Sequence, residues 1–184
     1  MSDNWVTFLS LDASESEAAE IIDRQLQWLL DREIVAPTEN TDRFYGDYRE
    51  GARFSEACDP RWVPSDAIAG GWHILFGVRI EKGWQISSNM NGFEPPPCPR
   101  CGEHLAADLM GELLTSWHDS RSEPIVVCKQ CGHTDSLGNW QHVFGAYGNY
   151  GSISFVNAFP LTKEFERTLL ARMGGRPRKL YVHL

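Results

Sequence analysis

The sequence "CPRCGEHL" (residues 98–105) is followed by "CKQCGHTD" (residues 128–135), and these two stretches determine how the chain is divided. Each contains a Cys-x-x-Cys pair followed by glycine, and 26 residues separate the pairs. A structural zinc ion takes four ligands at tetrahedral corners, about 2.3 Å from the metal when they are thiolates. A Cys-x-x-Cys turn directs two thiolates at one ion, and the following glycine allows a left-handed backbone there. The pattern predicts one metal site with the ligands Cys98, Cys101, Cys128 and Cys131.

The order and spacing of the four cysteines limit the kinds of site that they can form. A rubredoxin-type iron site uses the same four ligands, so zinc and iron both remain open. Haem attachment requires Cys-x-x-Cys-His, whereas Gly132 separates Cys131 from His133. Two complete pairs favour one closed site over a redox dithiol. Because four thiolates saturate a tetrahedral ion, we expect a structural metal with no position open for catalysis.

Residues 96–135 resemble the zinc-ribbon or zinc-knuckle class through "CPRCG" and "CKQCG". The resemblance implies a structural Zn2+ and a zinc-ribbon-like subdomain, but no particular function. The spacer departs from common ribbons, which are built from β-hairpins, because Leu105, Leu109 and Leu113 recur at helical spacing.

The two ends of the chain have well-marked elements. "NWVTFLSL" (4–11) predicts a strand, and a helix follows with Ser14 and Glu17 as a capping box. Thr162 is positioned to cap a second helix, which "GG" at 174–175 ends. "RKLYVHL" (178–184) predicts a last strand.

The middle of the chain contains further strand candidates. "EIVAP" (33–37) predicts a short strand closed by Pro37, and "GWHILFGVRI" (71–80) with "GWQISSNM" (83–90) predicts a hairpin turning at "EKG". "YGSISFVNAF" (150–159) predicts another strand.

This order of elements predicts an α+β fold: a mostly antiparallel sheet with two helices on one face, compatible with a split βαβ arrangement. Residues 1–94 and 136–184 would form one α+β domain. Residues 95–135, introduced by the stiff "EPPP", would form an inserted four-cysteine zinc-binding subdomain.

Charge limits the class of partner. The net charge is −8, with 14 acidic and 5 basic residues in 1–60, against 2 acidic and 6 basic residues in 160–184. Binding to nucleic acid depends on Lys and Arg that displace counterions from phosphate, so such a partner is not expected. An acidic body favours a basic protein partner. The first residues lack a signal-peptide pattern and no stretch is apolar enough to cross a membrane, so we expect a cytoplasmic chain without a membrane partner.

Several other residues invite a functional interpretation, but a structural one is favoured for each. Histidines beside the knuckles would lie outside the ligand set, and an isolated cysteine lacks a neighbour that would activate it. Adjacent Ser, His and Asp in "SWHDS" (116–120) do not make a catalytic triad, because triads are assembled from distant positions. These residues are His104 and His133, Cys58, Ser116, His118 and Asp119, and also His73 and His142.

Three surfaces are candidates for partner contact. The first is an acidic face of the first helix, and the second is an aromatic and glycine-rich tract at 140–159, for which core packing is the alternative. The third is a basic cluster near the C-terminus, the one place where an anion or RNA contact would fit. The residues are, in that order, Glu15, Glu17, Glu20 and Asp23; Trp140, Phe144, Tyr147 and Tyr150; Arg172, Arg176, Arg178 and Lys179.

The rest of the chain resembles the immunity proteins that accompany bacterial polymorphic toxins. The resemblance rests on acidity, on "WVTFLSLDASESEAAEIIDRQLQWL" (5–29) and on "FERTLLARMGGRPRKLYVHL" (165–184). It implies a non-enzymatic protein that neutralises a toxin, such as a basic bacterial toxin domain, by binding it. The alternative is a nucleic-acid- or transcription-associated zinc-ribbon protein. The sequence leaves the partner and the oligomeric state open.

Overall fold

A six-stranded antiparallel sheet is the centre of the molecule. The computed structural model describes residues 4–38, 46–63, 76–89, 92–142 and 145–183. Within these ranges the elements are β1 (Asn4–Ser10), α1 (Glu15–Asp31), β2 (Val35–Pro37), β3 (Tyr48–Glu50), β4 (Gly77–Ser88), α2 (Ala107–Ser120), β5 (Ile125–Val127), β6 (Thr134–Ser136), β7 (Ala146–Val156), α3 (Lys163–Met173) and β8 (Pro177–His183).

The strand order of the large sheet is β2-β3-β4-β7-β1-β8, and each described pair is antiparallel. Because β1 lies between β7 and β8 and is antiparallel to both, β7 and β8 run in the same direction. The helix α3 connects them, which makes β7-α3-β8 a split βαβ unit. The predicted α+β class with a mostly antiparallel sheet is confirmed.

Local capping sets the starts of α1 and α3 where the sequence predicts them. The amide of Glu17 donates to Ser14 Oγ at 3.4 Å, and the Glu17 carboxylate accepts from the Ser14 amide at 2.9 Å, which completes the capping box. At α3, the amide of Phe165 donates to Thr162 Oγ1 at 3.1 Å. This helix ends at Gly174, whose φ of 68° is favourable for glycine.

Helices α1 and α3 pack beside each other on one face of the sheet, as predicted. The rings of Trp28 and Phe165 stack with centroids 5.7 Å apart, and Gln25 Nε2 donates to the carbonyl of Arg172 at 2.7 Å. Below them, Phe8 and Phe155 meet edge to face within one buried cluster. This cluster is the main core.

The predicted hairpin at "EKG" is wrong. Residues 77–88 form one continuous strand that pairs with β7 along its length. The register shifts between Lys82 and Gln85, so that two residues of β4 oppose one of β7. Gly83, with φ of 100°, takes the backbone of a β-bulge here rather than of a reversing turn. Residues 71–75 of the predicted hairpin, including His73, lie outside the described residues.

β7 is longer than predicted at its start and shorter at its end, running from 146 to 156 rather than from 150 to 159. Its pairing with β1 covers only residues 152–156, whereas its pairing with β4 begins at Ala146. The ends of β4 and β7 therefore project beyond β1.

A second buried cluster lies on this projecting ribbon. It contains Met110, Leu114 and Trp117 of α2, with Trp84 and Ile86 of β4 packed against them. At Gly148 of β7 the approach is so close that an added Cβ would lie 2.5 Å from the Trp117 ring. The four-cysteine segment thus shares a core with the sheet, and its division from the rest at residues 95 and 135 stays a prediction.

Candidate metal centre

Two similar backbone turns hold the four cysteines. In the first, the amide of Gly102 donates to the carbonyl of Cys98 at 2.9 Å, and in the second the amide of Gly132 donates to the carbonyl of Cys128 at 2.9 Å. Gly102 and Gly132 have φ of 78° and 70°, a region that strongly favours glycine. The glycine after each cysteine pair is therefore required by the turn.

The turns bring all four sulfur atoms together. Cys98 Sγ lies 3.8 Å from Cys131 Sγ, Cys101 Sγ lies 3.6 Å from Cys128 Sγ, and all four lie within 4.8 Å of one another. None is in a disulfide. A tetrahedron of sulfurs about 2.3 Å from a central ion has edges of about 3.8 Å. The donor set and its spacing therefore fit one tetrahedral metal ion, and the cluster could bind one.

The thiols differ in acidity. The pKa of Cys128 is lowered from 9.0 to about 7, first because the amide of Cys131 donates to its sulfur and then because that of Gln130 does. At Cys101 the amide of Glu103 also favours the thiolate. Burial and the neighbouring sulfurs oppose this effect and raise the pKa of Cys101 to about 12. Four crowded sulfurs cannot all ionise easily on their own, whereas a bound cation would favour the thiolate at each of them.

Neither histidine beside the knuckles belongs to the sulfur cluster. His104 Nδ1 lies 2.9 Å from the carbonyl of Pro95, and its side chain is exposed. The His133 ring lies 6.3 Å from that of Trp140, which is fully buried. Among the described residues, the group within metal-binding distance consists of the four cysteines alone.

An antiparallel pair of short strands, β5 and β6, connects to the second knuckle. Val126 faces the buried cluster, whereas Ile125 and Val127 on either side are 61 % and 56 % exposed. Val127 directly precedes Cys128, so the knuckle fixes the end of β5. Sequence reasoning missed this pair of strands, although the β-branched run "IVV" was its signal.

The predicted C-terminal basic cluster is bonded to groups of the chain itself, and its members range from the exposed Arg172 to the buried Arg178. The chain's own groups bind all four of its members: Arg172 with Gln25 and the Trp28 ring; Arg176 with Asp12, Glu123 and Asn139; Arg178 with the carbonyl of Gly138; Lys179 with Glu166 and Tyr181. The hydrogen bonds that Arg176 donates to the Glu123 carboxylate raise the pKa of Arg176, and burial lowers the pKa of Arg178. These cations hold the fold together.

The other two predicted surfaces differ in exposure. Glu15, Glu17, Glu20 and Asp23 are all exposed on α1, although Glu20 pairs with Arg24 and Asp23 with Lys82. In the aromatic tract, Trp140 and Tyr147 are buried, and Tyr150 packs on Trp84 with ring centroids 5.0 Å apart. Core packing therefore accounts for these aromatics. Phe144 lies outside the described residues.

The remaining candidates have structural surroundings. Cys58 is buried, and burial raises its pKa to about 12, which opposes thiolate chemistry. His118 lies beside Asp119 on the exposed side of α2, 3.0 Å apart, while the Ser116 carbonyl accepts from Ser120. His142 pairs with Glu94 at 3.1 Å.

In comparisons with protein-family models, curated proteins and solved structures, nothing matches the chain. Within the described ranges, no helix has the length and apolarity needed to cross a membrane.

Proposed function

We propose that the chain is a non-enzymatic, cytoplasmic protein-binding protein in which Cys98, Cys101, Cys128 and Cys131 hold one structural Zn2+. The observation that carries the metal assignment is the spacing of the four sulfurs, which fits one tetrahedral ion. When bound, zinc supplies a fixed crosslink between the two knuckles. With four thiolates it has no position for a reacting water, which supports a structural role.

Metal analysis of the purified chain tests the zinc assignment. We expect one zinc per chain, and loss of that zinc in Cys98→Ser and in Cys128→Ser. Cys58→Ala is the matched control and should keep the metal, because Cys58 lies outside the cluster. One iron per chain would overturn zinc but keep the four-thiolate site, whereas full metal content in Cys98→Ser would overturn the ligand assignment.

Charge and exposure support a basic protein as the partner. The net charge is −8, and four acidic side chains of α1 are exposed. The basic residues that would contact nucleic acid near the C-terminus bond to groups of the chain itself instead. We therefore favour a protein partner over the nucleic-acid alternative. Unchanged mobility of labelled RNA and duplex DNA at low salt is the expected result, and a salt-dependent shift would contradict it.

More specifically, we propose that the chain is an immunity protein that binds a basic bacterial toxin domain. Acidity and the resemblance of residues 5–29 and 165–184 support this form. Co-expression with the product of a neighbouring toxin-like gene tests it by co-purification and by cell survival. Survival without a stable complex, or a complex without survival, would count against immunity and leave the zinc site unaffected.

A further inference from the structure

The outer edge of β5 carries backbone groups directed away from β6. The amide of Leu137 donates to the carbonyl of Pro124 at 2.9 Å, and the amide of Cys128 donates to that of His133 at 2.8 Å. Because hydrogen-bonded and non-hydrogen-bonded pairs alternate in an antiparallel ladder, Val126 bonds to Asp135. The N–H and C=O groups of Ile125 and Val127 then point to the opposite edge, where no described strand pairs with β5.

The side chains at this edge are apolar and accessible. Ile125 and Val127 are two of the three large hydrophobic side chains that are exposed among the described residues. Exposed β-branched side chains on an open edge are what folded proteins usually avoid, since such an edge pairs readily with another chain. Their presence favours a surface that is covered in use.

A cavity adjoins the edge. It has a volume of about 270 Å3, and Val127, Leu105, Ala106, Leu109 and Trp140 supply its apolar walls. This volume is just below the range of small-molecule pockets, about 300–1,000 Å3, and it is large enough for an apolar side chain. Val127 belongs to both the edge and the cavity wall, so an extended segment along β5 could place a side chain into the cavity.

The charges around the cavity indicate the chemistry of the occupant. Glu103 lines it, and Asp108 and Glu112 are exposed nearby on α2. Among the described residues, no ion pair engages these three carboxylates, and Lys129 is the one cation in the cavity lining. Residues 98–135 contain 6 acidic and 3 basic residues, so a second copy would bring like charge to this edge.

We propose that the edge of β5 binds an extended segment of a basic partner protein by strand addition, with one apolar side chain of that segment in the adjoining cavity. The inference rests on the proposed protein-binding function and names the contact. In this mode backbone hydrogen bonds supply affinity, and alternate side chains supply specificity.

A designed peptide tests the inference on the full, zinc-loaded chain. The probe is a labelled nine-residue peptide of alternating lysine and valine, and its counterpart has glutamate in place of lysine. We expect the lysine peptide to bind at least tenfold more tightly than the glutamate peptide. Its affinity should fall as the salt concentration rises. Amide exchange at Ile125 and Val127 should slow on binding, whereas exchange at Val126 should be slow with or without peptide.

Two proline variants locate the contact. Val127→Pro removes an outward N–H of β5 and should lower the affinity for the lysine peptide at least tenfold. The matched control Thr134→Pro acts on β6 opposite Val127, at a position whose N–H points to the other edge of the same sheet, and should leave binding unchanged. Metal content and amide exchange of the wild type report on the site even where a variant folds poorly.

Several outcomes would overturn the inference: no binding at millimolar peptide, equal binding of the glutamate peptide, or exchange changes confined to α1. A dimer that Val127→Pro dissolves would assign the edge to a second copy and would also overturn it. Any of these with one zinc per chain leaves the structural-zinc proposal intact, whereas absence of metal from the native chain rejects that proposal first.

Discussion

Arg176, just before β8, forms an ion pair with Glu123, which lies between α2 and β5 inside the four-cysteine segment. Arg176 Nη1 donates to Glu123 Oε1 at 3.2 Å, while Nε donates to Asp12 at 2.7 Å. Glu123 also accepts from the amide of Gly138 at 2.7 Å. One carboxylate thus joins the segment to the last strand of the sheet and to the turn after β6.

Replacing Glu123 with alanine should destabilise the fold by about 1–3 kcal/mol, because the Arg176 guanidinium loses one of its three acceptors and the buried Gly138 amide loses its acceptor. Urea unfolding at neutral pH measures the change. Glu20→Ala is the control: it breaks an exposed pair with Arg24 at 3.9 Å and should cost no more than about 1 kcal/mol. Equal effects of the two substitutions would show that Glu123 does not fasten the segment to the sheet.

Gly148→Ala should destabilise the chain by about 1–3 kcal/mol, since its Cβ would lie 2.5 Å from Trp117 and 2.6 Å from Trp84. Gly111→Ala is the opposite case. Gly111 lies within α2, and an added Cβ there meets nothing within 4 Å. Because alanine has a higher helix propensity than glycine, Gly111→Ala should stabilise the fold by about 0.5–1 kcal/mol. Thermal unfolding of both variants compares them directly. A neutral Gly148→Ala would mean that α2 does not rest on β7.

Removal of the metal should destabilise the whole chain and not the two knuckles alone. Structural zinc contributes on the order of 10 kcal/mol to the folding of its site. Because Cys98 and Cys128 belong to the same buried cluster as Met110 and Trp117, we expect a chelator to lower the melting temperature of the whole chain. Scanning calorimetry with and without chelator measures this. A core transition at unchanged temperature would show that the sheet folds independently of the segment.

Stability should fall at alkaline pH partly because of Cys58. Burial raises the pKa of this thiol from 9.0 to about 12, so between these values the folded chain holds a proton that the unfolded chain releases. The contribution of Cys58 is therefore fully present below pH 9.0 and is lost as pH rises toward about 12. Urea midpoints of wild type and Cys58→Ala should converge or cross over this range. Parallel curves would contradict a buried neutral thiol.

Sequence reasoning succeeded where local chemistry decides the structure. Ser14 with Glu17, and Thr162 with the glycines at 174–175, give helix limits that depend on neighbouring residues only. The spacing of the four cysteines likewise encodes their convergence, because each pair must form a turn to bind one ion.

It failed where distant pairing decides. "EKG" has the composition of a turn, yet pairing with β7 keeps β4 extended and places Gly83 in a bulge. In α2 the predicted helical spacing of Leu109 and Leu113 is confirmed, but contact with the sheet buries Met110, Leu114 and Trp117 more deeply than these two leucines. The partners of Arg176 lie 37 to 164 residues away in sequence, so its inward role could not be predicted.

The unequal lengths of β1 and β7 have a practical consequence. The ribbon of β4 and β7 that projects past β1 carries Trp84, Ile86 and Ala146, and the four-cysteine segment covers them. In a shortened chain with a short linker in place of residues 95–135, these three apolar side chains would be exposed to water. We would expect such a chain to self-associate. The four-cysteine segment is therefore a required cover for the apolar side chains of the sheet and cannot simply be removed.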